Sequence, residues 1–526
     1  MSSSTGLSRH RSLAPLVLIA LLLAACEVAA PGSASNATAT ILPSGGPLGP
    51  DGILVLHTND IHGRMEPEHV TSGNGGFDNG GVANLGGLLA RQRTIAPGRT
   101  LLLDAGDAWQ GSFVSNANRG AAMVEVMNLM GYDAQALGNH DFDWGQDVLR
   151  LRASEARFPF LAANVVDDAT GAVPSFAKPY IVKDLGVAKV GIIGVANPGT
   201  PAISKPANVK GLRFLSAAEA VGKYLPEVRA QADIVIALTH ISQRGVEEDE
   251  QLAREVPGID LIVSGHSHTA LQNAVREGAT TIVQAGSYAQ YLGQVQLQLD
   301  RATRRARVVG AGLLVVVGGK TPPDAQVAKV VETRAAEAKT VTARIVGRAT
   351  VDLPQETRGE SALGNLIADA MLEYCRGQGW HSDVALYNGS GIRAGIPPGD
   401  ITYGKVYEVL PFDDLVVNLD LSGGQLVTIY RRSLSDRGPN LVIAGGSFSY
   451  QLASITSATI GGAAVASERT YHVCTIDYLA LGGDGQSTFT SGKNLVYGDI
   501  AADAVAAYLT LHSPVSPRVE GRTAQR

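Results

Sequence analysis

Between Ile53 and about Val317 the chain alternates short unbroken apolar runs with longer amphipathic stretches. The runs read ILVLH, TLLLDA, AQAL, KVGIIGVA, DIVIALT, DLIVS and TIVQA. They are short and show no polar alternation, which predicts strands covered on both faces. Between them, GAAMVEVMNLMGY and AAEAVGKYLPEVRAQ have helical spacing. Strands joined by helical crossovers predict a layered α/β architecture, sheets sandwiched by helices. GGKTPPD, residues 318–324, is turn chemistry. The following AQVAKVVETRAAEAKTVTARI reads as one charged helix of strong helix formers. From about Val346 glycine is more frequent and the strands more polar, which predicts a second, α+β domain. The expected organisation is a first domain over residues 53–317, a linker helix over 318–345 and a second domain over 346–516.

The N-terminus reads as an address. RHRSLAPLVLIALLLAAC has a basic start, an apolar core from Leu16 to Leu23, and small residues before Cys26. Such a core is short for a membrane span and suits an export signal over residues 1–26. The ending LAAC resembles a lipobox, in which Cys26 is lipidated; the alternative is an ordinary signal peptide with an incidental cysteine. Residues 27–52, rich in Ala, Gly, Pro and Ser without a period, read as a flexible tether. The expectation is a protein exported to the cell envelope, with lipid at Cys26 as its one membrane attachment. At 526 residues two domains are the natural count. A net charge of −6 without a basic stripe argues against a nucleic-acid polymer as partner. Cys375 and Cys474 have no zinc or redox spacing, and their pairing stays open.

The chemistry gathers where the apolar runs end. ILVLHTNDIHG delivers Asp60 and His62, and LLLDAGD delivers Asp107. AQALGNHDFD delivers Asn139, His140 and Asp143. IVIALTH ends in His240, and DLIVSGHSH in His266 and His268. Five of the chain's 11 histidines stand at such ends. In open α/β sheets the loops at the carboxyl ends of strands converge on one site. A mixed Asp, Asn and His set suits Zn²⁺, Mn²⁺, Fe²⁺ or Co²⁺. Seven ligands are too many for one tetrahedral ion but suit two ions sharing a carboxylate, a standard device for phosphate ester hydrolysis. His57, inside its strand, reads as a packing residue or an outer support.

DIHG, DAGD, GNHDFD, the isolated TH and GHSH resemble the calcineurin-like metallophosphoesterases. LHTNDIHG and GNHDFDWG resemble the bacterial 5′-nucleotidase family in particular. The resemblance implies two divalent ions, Zn, Mn, Co or Mg. Asp60, His62, Asp107 and His268 would hold one, and Asp107, Asn139, His240 and His266 the other. His140 with Asp143 would form the catalytic dyad. Nucleotidases of this kind often carry Gln or Asn at the place of His268, so histidine there departs from their pattern.

The same resemblance covers the second domain. LYNGSGIRAGIPPGDIT holds Asn388 and Arg393, LPFDD holds Phe412, and TIDYLALGGDGQSTF holds Tyr478 and Asp484. Read alone, Phe412 and Tyr478 are core or turn residues; by resemblance they stack on a nucleobase, while Asp484 meets the ribose. Asn388 and Arg393 would contact nucleoside and phosphate. Arg358, in ETRGESALGNLIADAM, is the candidate for a further phosphate contact. The implied function is an exported enzyme releasing phosphate from nucleoside 5′-phosphates, with rotation between the domains. The alternatives are a 2′,3′-cyclic-nucleotide phosphodiesterase or UDP-sugar pyrophosphatase on the same scaffold, and a surface nucleotide-binding protein without catalysis.

Overall fold

The computed structural model describes residues 48–70, 76–205 and 207–526. The expected signal segment, Cys26 and nearly all of the tether lie outside the described residues. All seven apolar runs form strands, and their pairing produces two six-stranded sheets. The first has the order β12-β11-β1-β2-β3-β4. Its strands are β1 (Gly52–Thr58), β2 (Thr100–Asp104), β3 (Ala134–Ala136), β4 (Phe160–Leu161), β11 (Tyr291–Asp300) and β12 (Arg305–Val315). The second has the order β9-β10-β8-β7-β6-β5. It comprises β5 (Tyr180–Asp184), β6 (Lys189–Val195), β7 (Ile234–Thr239), β8 (Leu261–Ser264), β9 (Val275–Glu277) and β10 (Thr280–Val283).

Why the runs are unbroken follows from how the two sheets stack. In β1, Ile53 and Val55 enter one core with Ile236 and Leu238 of β7, while Leu54 and Leu56 enter another. That second core holds Val82 and Leu85 of α1 (Val82–Arg93) and Met123 and Val126 of α2 (Ala121–Met130). On the far side, Val235 and Ala237 pack with Val221 and Val228 of α3 (Ala217–Gln231) and Leu252 of α4 (Glu247–Glu255). Both faces of each central strand are therefore apolar, and the layers run helix, sheet, sheet, helix. His57 points into this packing at 1 % exposure. A Cβ on the facing Gly293 would lie 2.0 Å from its ring, so that strand position must be glycine. Burial takes the His57 pKa down to about 3.

The charged helix forms as α5 (Ala325–Thr342), begun by the Asp324 side chain accepting from the Gln326 and Val327 amides. Its Val327 and Ala338 belong to the core of α1 and α2. The rest of the chain builds a five-stranded sheet of order β15-β13-β16-β14-β17. Its strands are β13 (Val384–Tyr387), β14 (Leu415–Ser422), β15 (Val442–Ala444), β16 (Thr470–Ile476) and β17 (Lys493–Ile500). α6 (Ala362–Gly377) packs on it. The open cysteine question is answered here: Cys375 of α6 and Cys474 of β16 are bonded, with Cα atoms 6.2 Å apart. Beyond residue 516 the chain adds one more strand, Thr523–Gln525, to a smaller sheet beside Gly446–Gln451. Among the described residues no helix is long and apolar enough to cross a membrane.

Candidate active site

Strands β1, β2 and β3 run parallel in one sheet, and β6, β7 and β8 in the other, so their carboxyl ends face a common cleft. Asp60 and His62 follow β1, Asp107 follows β2, Asn139 follows β3, His240 follows β7, and His266 and His268 follow β8. Five of these seven, Asp60, His62, Asp107, His266 and His268, hold left-handed backbone with φ between 52° and 81°. Non-glycine residues resist that region, and where it recurs in one place the surroundings enforce it. Here the enforced turns swing each side chain back over its strand end. Loop hydrogen bonds fix them: the Asp60, His62 and Gly63 amides donate to the carbonyls of Gly106, Asp107 and Ala108.

The side chains gather into two groups, Asp60–His62–His268 and Asp107–His240–His266. His62 Nε2 lies 3.1 Å from His268 Nε2, and His268 Nε2 lies 3.3 Å from Asp60 Oδ1. Asp107 Oδ2 stands 3.0 Å from His240 Nε2 and 4.0 Å from His62 Nε2, so one carboxylate oxygen faces both groups. The arrangement fits a pair of cations by its lone pairs. His62 Nδ1 donates to the Gln110 carbonyl at 2.9 Å and His240 Nδ1 to that of Ala105 at 2.7 Å, which turns each Nε2 toward the carboxylates, where a proton or a cation can occupy it. Asp60 Oδ1, Asn139 Oδ1 and His240 Nε2 are buried without any hydrogen-bond partner, a costly state that a bound cation relieves. The field agrees. Burial opposes charge on His240, yet Asp107 and Asp60 outweigh it and push the imidazole up to about 10. Burial likewise opposes the Asp107 carboxylate, but His240 and His140 hold it well below the usual range.

His140 stands beside this centre, its amide donating to Asp107 Oδ1 at 2.8 Å and its Nδ1 2.8 Å from Asp143 Oδ2. Burial works against its charge, but the Asp143 and Asp107 carboxylates prevail and its pKa is raised. Phe412 stacks on the His140 ring at 5.4 Å, and the Arg393 guanidinium sits 5.8 Å from the same phenyl ring. A cavity of about 220 Å³ opens here, lined by Asn139, His140, Asp143 and His266 together with Asn388, Arg393, Phe412, Tyr478 and Asp484. The Tyr478 hydroxyl donates to Asp484 Oδ1 at 2.9 Å, and Gly483 lies so close to the ring that a Cβ there would be 2.5 Å away. Asp484 Oδ2 in turn accepts from Asn388, Ser390 and Asn440. Arg358 does not line the cavity; its guanidinium donates to the Thr357 carbonyl at 2.9 Å.

Sequence reasoning missed Lys205 and Asp414, which line the same cavity. Lys205 Nζ lies 2.9 Å from Asp477 and 3.5 Å from Asp414, a polar cluster joining the loop after β6 to the residues beside Phe412 and Tyr478. Acidic residues within two positions of each aromatic in LPFDD and TIDYLAL were the available signal; nothing around Lys205 announced it. Asn59 was missed as well: its Nδ2 donates to Asp60 Oδ2 at 2.6 Å and to the Gly286 carbonyl, which aims the carboxylate.

The model of calcineurin-like phosphoesterases matches residues 53–270, and that of the 5′-nucleotidase C-terminal domain matches residues 338–491. The chain is 30% identical to the trifunctional nucleotide phosphoesterase protein YfkN of Bacillus subtilis over 89% of its own length, spanning 34% of that protein. It is 30% identical to the snake venom 5′-nucleotidase of Naja atra, covering 89% of this chain and 98% of the venom protein. The crystal structure of the 5′-nucleotidase precursor from Thermus thermophilus superposes with a TM-score of 0.83 at 31% identity, covering 90% of this chain and 99% of that one. A metal-dependent phosphoric ester hydrolase is the enzyme class these relatives and the layered fold share with this chain. It belongs to the 5′-nucleotidase family, a calcineurin-like phosphoesterase domain followed by the 5′-nucleotidase C-terminal domain.

Proposed function

We propose that the chain hydrolyses nucleoside 5′-phosphates to nucleoside and phosphate, as an exported protein tethered by lipid at Cys26. The observation that carries the reading is the single cavity in which His140 and Asp143 face Asn388, Arg393, Phe412, Tyr478 and Asp484. A phosphoryl group near the dyad then has its nucleoside among residues suited to a base and a ribose. Asp60, His62, Asp107 and His268 would hold one divalent ion, and Asp107, Asn139, His240 and His266 a second. Such a pair, when bound, supplies Lewis acidity and a water acidic enough to act near neutral pH. His140, kept protonated by Asp143, donates from Nε2 to an oxygen of the phosphoryl or leaving group. Arg393, steadied by the Phe412 ring, offers a planar fork to the phosphate. Phe412 and Tyr478 present ring faces to the base, and a π face is common to every base, so broad nucleotide acceptance follows. Asp484, held by Asn388, Ser390 and Asn440, accepts from ribose hydroxyls. We place the domain boundaries at residues 53–317 and 346–526, with α5 between them.

The test is a substrate panel on Mn²⁺-loaded protein lacking residues before Glu27. AMP should be turned over well above UDP-glucose and 2′,3′-cAMP. YfkN is named trifunctional, so a reversed order would assign the chain to a different phosphoester. His140→Ala should lose most turnover while still binding AMP; unchanged turnover removes His140 from the reaction.

A further inference from the structure

The helix α4 begins with four consecutive acids, Glu247, Glu248, Asp249 and Glu250, and only Asp249 is fully buried. Its neighbours on that face are Leu252 and Ala253, three and four residues on, which turn the same side of the helix into the sheet. No lysine or arginine meets Asp249 there among the described residues. Three hydroxyls do. Thr239 Oγ1 donates to Oδ1 at 2.6 Å, and Ser242 Oγ and Ser264 Oγ donate to Oδ2 at 2.6 and 2.5 Å.

The places of those hydroxyls give the cluster its meaning. Thr239 directly precedes His240 and Ser242 stands two residues after it; Ser264 stands two residues before His266. One carboxylate thus spans the ends of the adjacent parallel strands β7 and β8, at the points where each chain leaves the sheet to present its imidazole. Gln284 continues the brace, donating to Ser264 Oγ at 2.9 Å and accepting from Ser267 Oγ at 2.9 Å beside His266. A buried carboxylate with no cationic partner costs more than an apolar side chain of its size. Packing alone would have favoured leucine on this face.

We propose that Asp249 is a positioning residue for one metal site, fixing the separation and aim of His240 and His266 through the hydroxyls of Thr239, Ser242 and Ser264. This rests on reading those two histidines as ligands. Asp60 and His62 come from the other sheet and have no hydrogen bond to this brace, and His268 meets it only at its far end, where Gln284 accepts from Ser267 Oγ and the Thr269 amide, so the weight of the effect falls on His240 and His266. Outer partners of metal ligands typically change affinity by about ten- to a hundredfold.

The experiment titrates Mn²⁺ into metal-stripped full-length protein and counts ions and affinities by calorimetry and elemental analysis. Wild type should take up two ions. Asp249→Asn should weaken one ion about ten- to a hundredfold and the other clearly less, with Mn²⁺-saturated far-UV circular dichroism unchanged. Thr239→Val, which removes one hydroxyl at constant shape, should weaken that same ion by a smaller factor, and it serves alone if Asp249→Asn does not fold. Unchanged affinities in the folded variants, or equal weakening of both ions, overturn the proposal. His240→Ala and His266→Ala separate the two readings: if they retain two tightly held ions, the ligand assignment itself is wrong, whatever Asp249 does.

Discussion

The Cys375–Cys474 bond sets a measurable limit on how much of the second domain's stability comes from its unfolded state. The bond closes a loop of 99 residues between α6 and β16. In the chain-entropy account, a loop of that length removes enough denatured-state freedom to stabilise the fold by about 4.7 kcal/mol. Around the bond, Met371, Val473 and Ile476 are fully buried and Leu372 nearly so, in one apolar core, so the native packing does not depend on the covalent link. Reduction should therefore leave the fold in place and lower its unfolding free energy by a value approaching about 4.7 kcal/mol. Reduction is preferable to Cys→Ala here, because a buried truncation adds a cavity cost of its own. The assay is urea unfolding with and without a reductant. Circular dichroism would follow the whole chain, and hydrogen exchange would follow β13 and β16. Loss of more than the entropic figure would mean that the bond also holds native packing. A change below ~1 kcal/mol, inside the extrapolation error of such fits, would refute the reasoning. A covalent anchor on β16 also matters to the cavity, since this strand runs directly into Asp477 and Tyr478.

Burial, opposed by Lys205 and reinforced by Asp477 and Asp143, pushes Asp414 up to about 8. The native chain then keeps a proton that the unfolded chain releases near pH 4, so stability attributable to this group falls as pH rises from about 4 to 8 and is level above. Asp414→Asn, which imitates the protonated form, should flatten the Tm–pH curve over that window and raise Tm at about pH 8; an unchanged slope rejects the assignment. Tyr478→Ala should raise the KM for AMP by about 5- to 150-fold, the value of one base stacking on one ring. The KM for ribose 5-phosphate, which has no base, should move little, and equal shifts for both would end the stacking claim.

The arrangement of the first domain was legible because stacked sheets leave a simple trace. Strands covered on both faces carry few polar residues, so the sequence shows nearly unbroken apolar runs, and the first polar residues after each run stand at the strand ends. That rule alone brought Asp60, Asp107, Asn139, His240 and His266 forward as candidates. The second domain offers no such rule. Phe412 and Tyr478, read alone, pass for core or turn residues and were picked out only by resemblance, and their common cavity depends on segments far apart in sequence. Lys205 is separated from Asp477 by 272 residues, and only the assembled fold brings them together. Arg358, carried over from a motif whose spacing varies, turned to its own neighbour's carbonyl.

Asp249 is the instructive miss, since a signal for it was present. In VEEDEQLAREV the run of acids reads as a solvated helix start, where negative charge is favourable to the helix dipole. Periodicity separates its members: Leu252 and Ala253 mark the inner face, and of the four acids Asp249 alone lies three residues before the one and four before the other. A carboxylate on the apolar stripe of a helix is anomalous for the same reason that buried charge is costly. The hydroxyls that meet it, Thr239, Ser242 and Ser264, flank the two histidines already suspected of holding metal. Each anomaly is weak by itself. Together they point to one place, where the chain accepts a costly buried carboxylate beside the two histidines proposed to hold metal.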